Sequence, residues 1–136
     1  MSSIEPTAKS VLDASALLAL LFDEAGAGRV ERAVERGACV STLNWAEVMA
    51  RLVERGEPVD AALAHPLPGG GTVALVPFDE IQAKETASLK LPTRRLGLSL
   101  ADRACLALAR MRRLPVMTAD RAWTSLYLSI KIEVIR

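Results

Sequence analysis

Aromatic residues are scarce in this chain, at 4% of the sequence, with 2 Trp, 2 Phe and 1 Tyr. There is a single histidine, His65, inside the Pro/Gly-rich run His65–Gly71. Acid–base chemistry built on a histidine pair is therefore excluded. Only 2 cysteines are present, Cys39 and Cys105, far apart and in apolar surroundings. That number and spacing exclude a Cys/His zinc site and a disulfide framework; one disulfide is conceivable, but two buried free thiols are expected. No Gly-rich phosphate loop occurs, since Gly69-Gly70-Gly71 is not followed by Lys-Ser/Thr. Ser15 has no nucleophile-elbow context. Long apolar runs are absent too. Ala14 to Phe22 is the longest, and it falls well short of the ~20 residues that a membrane-spanning helix needs. The segment Met1–Ser10 carries Glu5 and Lys9 and does not read as an export signal. A cytoplasmic protein with no membrane partner is expected.

What is present is apolar and helix-forming. Hydrophobic residues make up 51% of the 136 positions, dominated by Ala and Leu. One domain spanning 1–136 is expected, with 1–9 as a flexible N-terminal segment. The net charge is only +1, but its distribution is uneven. Residues 1–68 hold 6 basic and 10 acidic side chains, and residues 69–136 hold 11 and 6. A basic half of this kind can hold phosphates, although a solvated helix face carries the same charges.

The pattern of elements is one of short apolar strands separated by helices. Strands are expected at Ser10–Asp13, Ala38–Ser41, Thr72–Pro77, Pro115–Thr118 and Ile130–Ile135. Helices are expected after Ser15 as cap, over Ala27–Arg36, from Thr42 to Gly56, from Asp79 to about Leu89, and from Ser99 through the basic run Arg110, Arg112 and Arg113. A brief helix at Val59–Ala64 precedes the loop His65–Gly71, and Lys90–Gly97 reads as a basic loop. Ser99 and Asp102 have the spacing of a capping box. Alternation of this kind predicts an α/β fold with a parallel sheet covered by helices on both faces.

Four acids fall at meaningful places in that fold. Asp13 and Asp120 each follow a strand, and ligands bind at the carboxyl ends of strands in open parallel sheets. Glu47 and Asp102 sit early in helices that start at the same rim. Four converging carboxylates repel one another and so attract a cation. Hard oxygen donors favour Mg²⁺ or Mn²⁺ over zinc. Each acid also has a purely structural explanation, Asp102 as a capping-box acid, Asp13 and Asp120 as turn residues and Glu47 as a surface acid. The weight lies in all four together.

The stretches Val11–Leu21, Ser41–Val48, Leu98–Ala109 and Val116–Trp123 together resemble those of the PIN-domain ribonucleases, and among them the VapC-type toxins of toxin–antitoxin pairs. Order and spacing agree from about Ser10 to Ile135. The resemblance implies a three-layer α/β/α fold with a short central parallel sheet. It also implies a Mg²⁺- or Mn²⁺-dependent endoribonuclease, with Asp13, Glu47, Asp102 and Asp120 as catalytic and metal-holding residues. Ser15 and Thr118 fall on supporting polar positions. Further implications are a homodimer and a small antitoxin whose C-terminal segment covers the acidic cleft. Operator DNA would be bound only through that antitoxin. The Pro/Gly-rich segment Glu57–Gly71 departs from the more continuous helix of relatives. Arg94, Arg95, Arg103 and Arg121 lie near the acidic motifs on the basic half and are candidates for contacts to an RNA backbone. A catalytically silent interaction module on the same fold is the main alternative. A haloacid-dehalogenase-type phosphatase is disfavoured because Asp13-Ala14-Ser15 lacks the second acid of Asp-x-Asp. A receiver domain is disfavoured for want of paired early acids and a late lysine.

Overall fold

The computed structural model describes residues 8–57 and 72–136. The expected helix at Val59–Ala64, the loop at His65–Gly71 and most of the proposed flexible N-terminus lie outside those residues. The amide of Lys9 already donates to the Gly37 carbonyl at 2.8 Å, which leads the chain into the sheet.

The order of elements is β1 (Ser10–Leu12), α1 (Ala14–Leu21), α2 (Ala27–Arg36), β2 (Ala38–Ser41), α3 (Thr42–Glu54), β3 (Val73–Val76), α4 (Glu80–Ser88), α5 (Leu100–Arg112), β4 (Val116–Thr118) and β5 (Ile132–Val134). Two 3-10 helices, Arg94–Leu96 and Arg121–Ser125, complete the described chain. The first lies within the expected basic loop. The second follows Asp120, whose side chain caps it by accepting from the Ala122 amide at 3.0 Å. That short helix was not anticipated, because five residues carry too little periodicity to show one.

The strands form one parallel sheet in the order β3-β2-β1-β4-β5. Central β1 is buried along its whole length, as a strand covered on both faces must be. Successive residues feed opposite cores. Leu12 and Met117 join the core under α1, α2 and α3, with Ala16, Leu17, Val30, Val48 and Leu52. Val11, Cys39 and Val116 point the other way, onto Leu106, Ala107 and Trp123. This alternation is the two-residue period of a strand. The expected three-layer α/β/α architecture is therefore observed. Cys39 and Cys105 are both buried and unbridged. Among the described residues no helix is long and apolar enough to cross a membrane.

One helix start differs from expectation. Ser15 does not cap α1. The cap is Asp13 itself, whose carboxylate accepts from the Ala16 amide at 2.8 Å. An acid at a strand end satisfies the orphan amides of the helix that follows, so the helix begins two residues earlier and Ser15 is left free to bond elsewhere. The other starts are as read. Ser41 caps α3, Asp79 caps α4, and Ser99 with Asp102 forms a complete capping box on α5.

Candidate active-site cleft

All four strand-end and helix-start acids line one cleft of about 400 Å³, together with Ala14, Ser15, Leu18, Ala50, Arg51 and Trp123. The topology explains the convergence. In a parallel sheet every strand leaves by the same edge, so β1 and β4 deliver Asp13 and Asp120 to that edge. Helices α3 and α5 bring Glu47 and Asp102 to its sides.

Asp13 is the most constrained of the four, at 5% exposed. Its Oδ1 accepts from the Ala16 amide and from the Ser15 hydroxyl at 2.7 Å. Its Oδ2 accepts from the Thr118 hydroxyl at 2.6 Å. Burial nevertheless pushes its carboxyl up to about 6, because the hydrogen bonds only partly replace lost water and the charge of Asp102 adds repulsion. Ser15 also accepts from the Ala119 amide at 2.9 Å, joining the start of α1 to the exit of β4. Thr118 accepts from the Asp120 amide at 3.0 Å. Ser15 and Thr118 thus hold Asp13 and the chain leading into Asp120.

Glu47 stands at the exposed rim. Partial desolvation pushes its carboxyl up, the Asn44 side chain opposes this by hydrogen bonding, and the charge of Asp102 adds to the rise. Asp102 spends Oδ2 on the Ser99 amide at 3.2 Å and still lines the cleft, so the capping-box explanation and the site explanation both apply to it. Behind the cleft, burial pushes the Cys105 thiol well up, and the charges of Asp13 and Asp102 add to this. That thiol is inert at neutral pH.

The residues present can be tested against a divalent cation. No three His, Cys, Asp or Glu side chains among the described residues stand close enough to form a ready-made cage. The donor chemistry fits all the same. The lining holds four carboxylates and neither imidazole nor thiol; burial pushes the Asp13 and Glu47 carboxyls up, and the charge of Asp102 adds to both. Mg²⁺ keeps several waters and is held through few carboxylates, which an open set of acids matches better than a tight cage would.

Three residues that matter here were not singled out from the sequence. Arg51 is the cation on the cleft wall. It lies four residues after Glu47, so helical spacing already placed it on the same face. Asn44, three residues before Glu47, is buried and its Nδ2 donates to the Ala101 carbonyl at 2.9 Å, tying α3 to α5. Trp123, three residues after Asp120, is 1% exposed and contributes to the lining beside it. The arginines proposed for RNA are placed differently from one another. Arg94, Arg95 and Arg121 are exposed on the 3-10 helices, whereas Arg103 is half-buried and donates to the Thr86 carbonyl at 3.4 Å. None of the four lines the cleft.

The family model for the PIN domain matches residues 10–127. No functionally curated protein matches the chain by sequence. Several solved structures are similar in fold. VapBC2 from Rickettsia felis, bound to a DNA fragment from its promoter, superposes with a TM-score of 0.71 at 12% identity, covering 93% of this chain and 98% of that one. DNA-bound VapBC from Salmonella typhimurium gives 0.68 at 20% identity, covering 94% and 98%. VapC20 from Mycobacterium tuberculosis, a sarcin–ricin-loop-cleaving toxin, gives 0.64 at 16% identity, covering 90% and 98%.

Proposed function

The chain belongs to the PIN-domain family, and we propose that it is a metal-dependent endoribonuclease, the toxin of a toxin–antitoxin pair. The observation that carries this reading is the meeting of Asp13, Glu47, Asp102 and Asp120 in one cleft at the carboxyl edge of the sheet. Such a cleft is costly for folding. Asp13 is buried against its own charge, and no core-packing role needs an ionised group there.

Asp13, Glu47, Asp102 and Asp120 would hold Mg²⁺ or Mn²⁺. The bound cation supplies charge that polarises a phosphodiester and offsets the negative charge developing during hydrolysis. Residues of the chain do the rest. Ser15 and Thr118 fix the Asp13 carboxylate in one orientation through both of its oxygens. Asn44 keeps Glu47 and Asp102 on facing walls by joining their helices. Arg51 offers a guanidinium to a phosphate entering the cleft. Trp123, almost wholly buried, backs the cleft beside Asp120.

One relative of similar fold is a toxin that cleaves the sarcin–ricin loop, which supports a structured RNA, tRNA or rRNA, as substrate. Other relatives are DNA-bound toxin–antitoxin complexes. We further propose, as the resemblance to the family implies, that a cognate antitoxin covers the acidic cleft and carries the operator contact, and that the toxin works as a cytoplasmic homodimer. A segment bearing an arginine would relieve the repulsion among the carboxylates and block the cation at once.

The alternative, a silent interaction module, draws on the structural duties of Asp13 and Asp102 as helix-capping acids. One experiment separates the two. The antitoxin-free protein is incubated with initiator tRNA and a ribosomal loop in Mg²⁺, Mn²⁺ or EDTA, beside Asp13→Asn and Asp102→Asn. Cleavage that requires both metal and carboxylates, leaving 5′-phosphate and 3′-hydroxyl ends, is the expected result. A 2′,3′-cyclic phosphate would exclude hydrolysis by water. A folded protein that cuts no RNA, and binds a partner equally with and without its acids, would establish the silent module.

A further inference from the structure

A second, smaller hollow of about 80 Å³ is lined by Pro92, Thr93, Arg95, Leu96, Ser125, Leu126 and Tyr127. One element links it to the cleft lining. The 3-10 helix Arg121–Ser125 begins next to Asp120 and carries Trp123, both in the cleft lining, and it ends at Ser125 in the hollow. Five residues of 3-10 helix rise about 10 Å. A strand lying in the cleft covers that distance in roughly three nucleotides at the ~3.4 Å rise of a stacked chain.

The surroundings of Tyr127 are unusual for an aromatic. It is 95% exposed, whereas Trp123 is 1% exposed and the Phe22 ring is covered by the Arg55 guanidinium at 3.8 Å. An exposed ring of this size contributes nothing to the core. Beside it stands Arg95, on a turn that is internally braced. The Thr93 hydroxyl donates to the Leu89 carbonyl at 2.7 Å, and the Leu96 amide to the Thr93 carbonyl at 3.1 Å. Among the described residues neither Arg94 nor Arg95 has an ion-pair partner, and no acid lines the hollow. Leu96 and Leu126 give it an apolar wall, and the Ser125 hydroxyl oxygen remains able to accept a hydrogen bond.

We propose that Tyr127 and Arg95 form a nucleobase subsite, in which an unpaired base of the RNA substrate stacks on the tyrosine ring while the guanidinium meets its edge or its phosphate. This rests on the nuclease reading above and assigns to it a determinant of substrate choice. An exposed ring with an unpaired arginine and no acid fits a π-face that carries negative charge nearby. The subsite favours loops and bulges over continuous duplex, because a base inside a stack presents no free face.

The test uses the full chain carrying Asp102→Asn, so that RNA is bound without being consumed. Binding is followed by fluorescence anisotropy with a labelled unpaired oligoribonucleotide and with a blunt RNA duplex. Tyr127→Ala is expected to weaken binding of the unpaired strand by about tenfold and to leave the duplex unchanged, while Tyr127→Phe keeps the parent affinity. Arg95→Ala weakens the unpaired strand as well, by a factor that shrinks as salt is added. Equal affinities for the Ala and Phe variants would overturn the subsite while leaving the nuclease reading intact. A parent protein that binds neither RNA would overturn both.

Discussion

Thr118 and Asp13, 105 positions apart, are joined by a hydroxyl-to-carboxylate hydrogen bond of 2.6 Å at the carboxyl ends of adjacent strands. The same hydroxyl oxygen accepts from the Asp120 amide at 3.0 Å. One small side chain therefore holds two of the four cleft acids in register. Thr118→Val removes both bonds at nearly constant volume. It is expected to destabilise the protein by about 1.5–3 kcal/mol, the range for bonds to charged groups. It should also raise the Asp13 carboxyl further, since that bond opposes the effect of burial. Urea denaturation and a ¹³C carboxyl titration measure the two effects. An unshifted Asp13 titration would show that the contact is not an energetic one.

Stability of the metal-free protein should fall as pH rises from about 4 to above 6. Burial holds the Asp13 carboxyl at about 6 in the folded state, against 3.8 for the free group. Between those values the folded state binds more protons than the unfolded one, so the contribution is present at low pH and is lost as pH climbs through the folded value. Its full size is about 3 kcal/mol at most. Asp13→Asn removes the dependence, so denaturation in EDTA at acid and neutral pH should give different gaps between the parent and the variant. The same gap at both would contradict the assignment.

Mn²⁺ should raise the melting temperature of the parent protein. A ligand at a hundred times its dissociation constant stabilises by about 2.7 kcal/mol. Asp102→Asn and Asp120→Asn each remove a donor from the cleft and should shrink that rise without lowering the melting temperature in EDTA by a comparable amount. A rise preserved in both variants would locate the metal elsewhere.

Asn44 is a positioning residue rather than a reacting one. Its Nδ2 bond to the Ala101 carbonyl joins the helices that carry Glu47 and Asp102. Asn44→Ala is expected to cost about 1–2 kcal/mol of stability. It should also lower kcat by about ten- to a hundredfold with KM little changed, because misplacement of the acids hurts reaction more than substrate binding. A rise in KM at constant kcat would assign Asn44 to RNA contact instead.

Gly26 opens α2 at φ +96, where a Cβ would stand 2.7 Å from the Ile135 carbonyl oxygen and 2.8 Å from its Cγ1. Gly26→Ala combines a left-handed backbone with an overpacked contact against the chain end. A loss of about 2–4 kcal/mol is expected in thermal or urea melts. A neutral substitution would mean that the segment after β5 moves aside freely.

Much of the fold was legible in the sequence because strand and helix periods are local properties. Ala27–Arg36 between glycines, Ala38–Ser41 as an apolar run and Ser99 with Asp102 as a capping box each needed only neighbours a few residues away. The same locality explains the errors. Ser15 stands one residue inside a helix and reads as its cap. Only the approach of β4, which brings Ala119 and Thr118 beside it, reveals that its hydroxyl serves Asp13 and a distant amide. The short helix after Asp120 depends in the same way on where Trp123 is buried.

By itself the sequence determined which residue types could do chemistry, namely acids in place of histidine, and that two of them follow strands. Tertiary structure decided that those acids share one cleft, that Arg51 and Trp123 complete its walls, and that Arg94, Arg95, Arg103 and Arg121 stand outside it. The physical reason is that helical and strand periods fix which face a side chain takes within its own element. Which faces meet is set by how a parallel sheet gathers its strand ends, across separations of a hundred residues that no local pattern records.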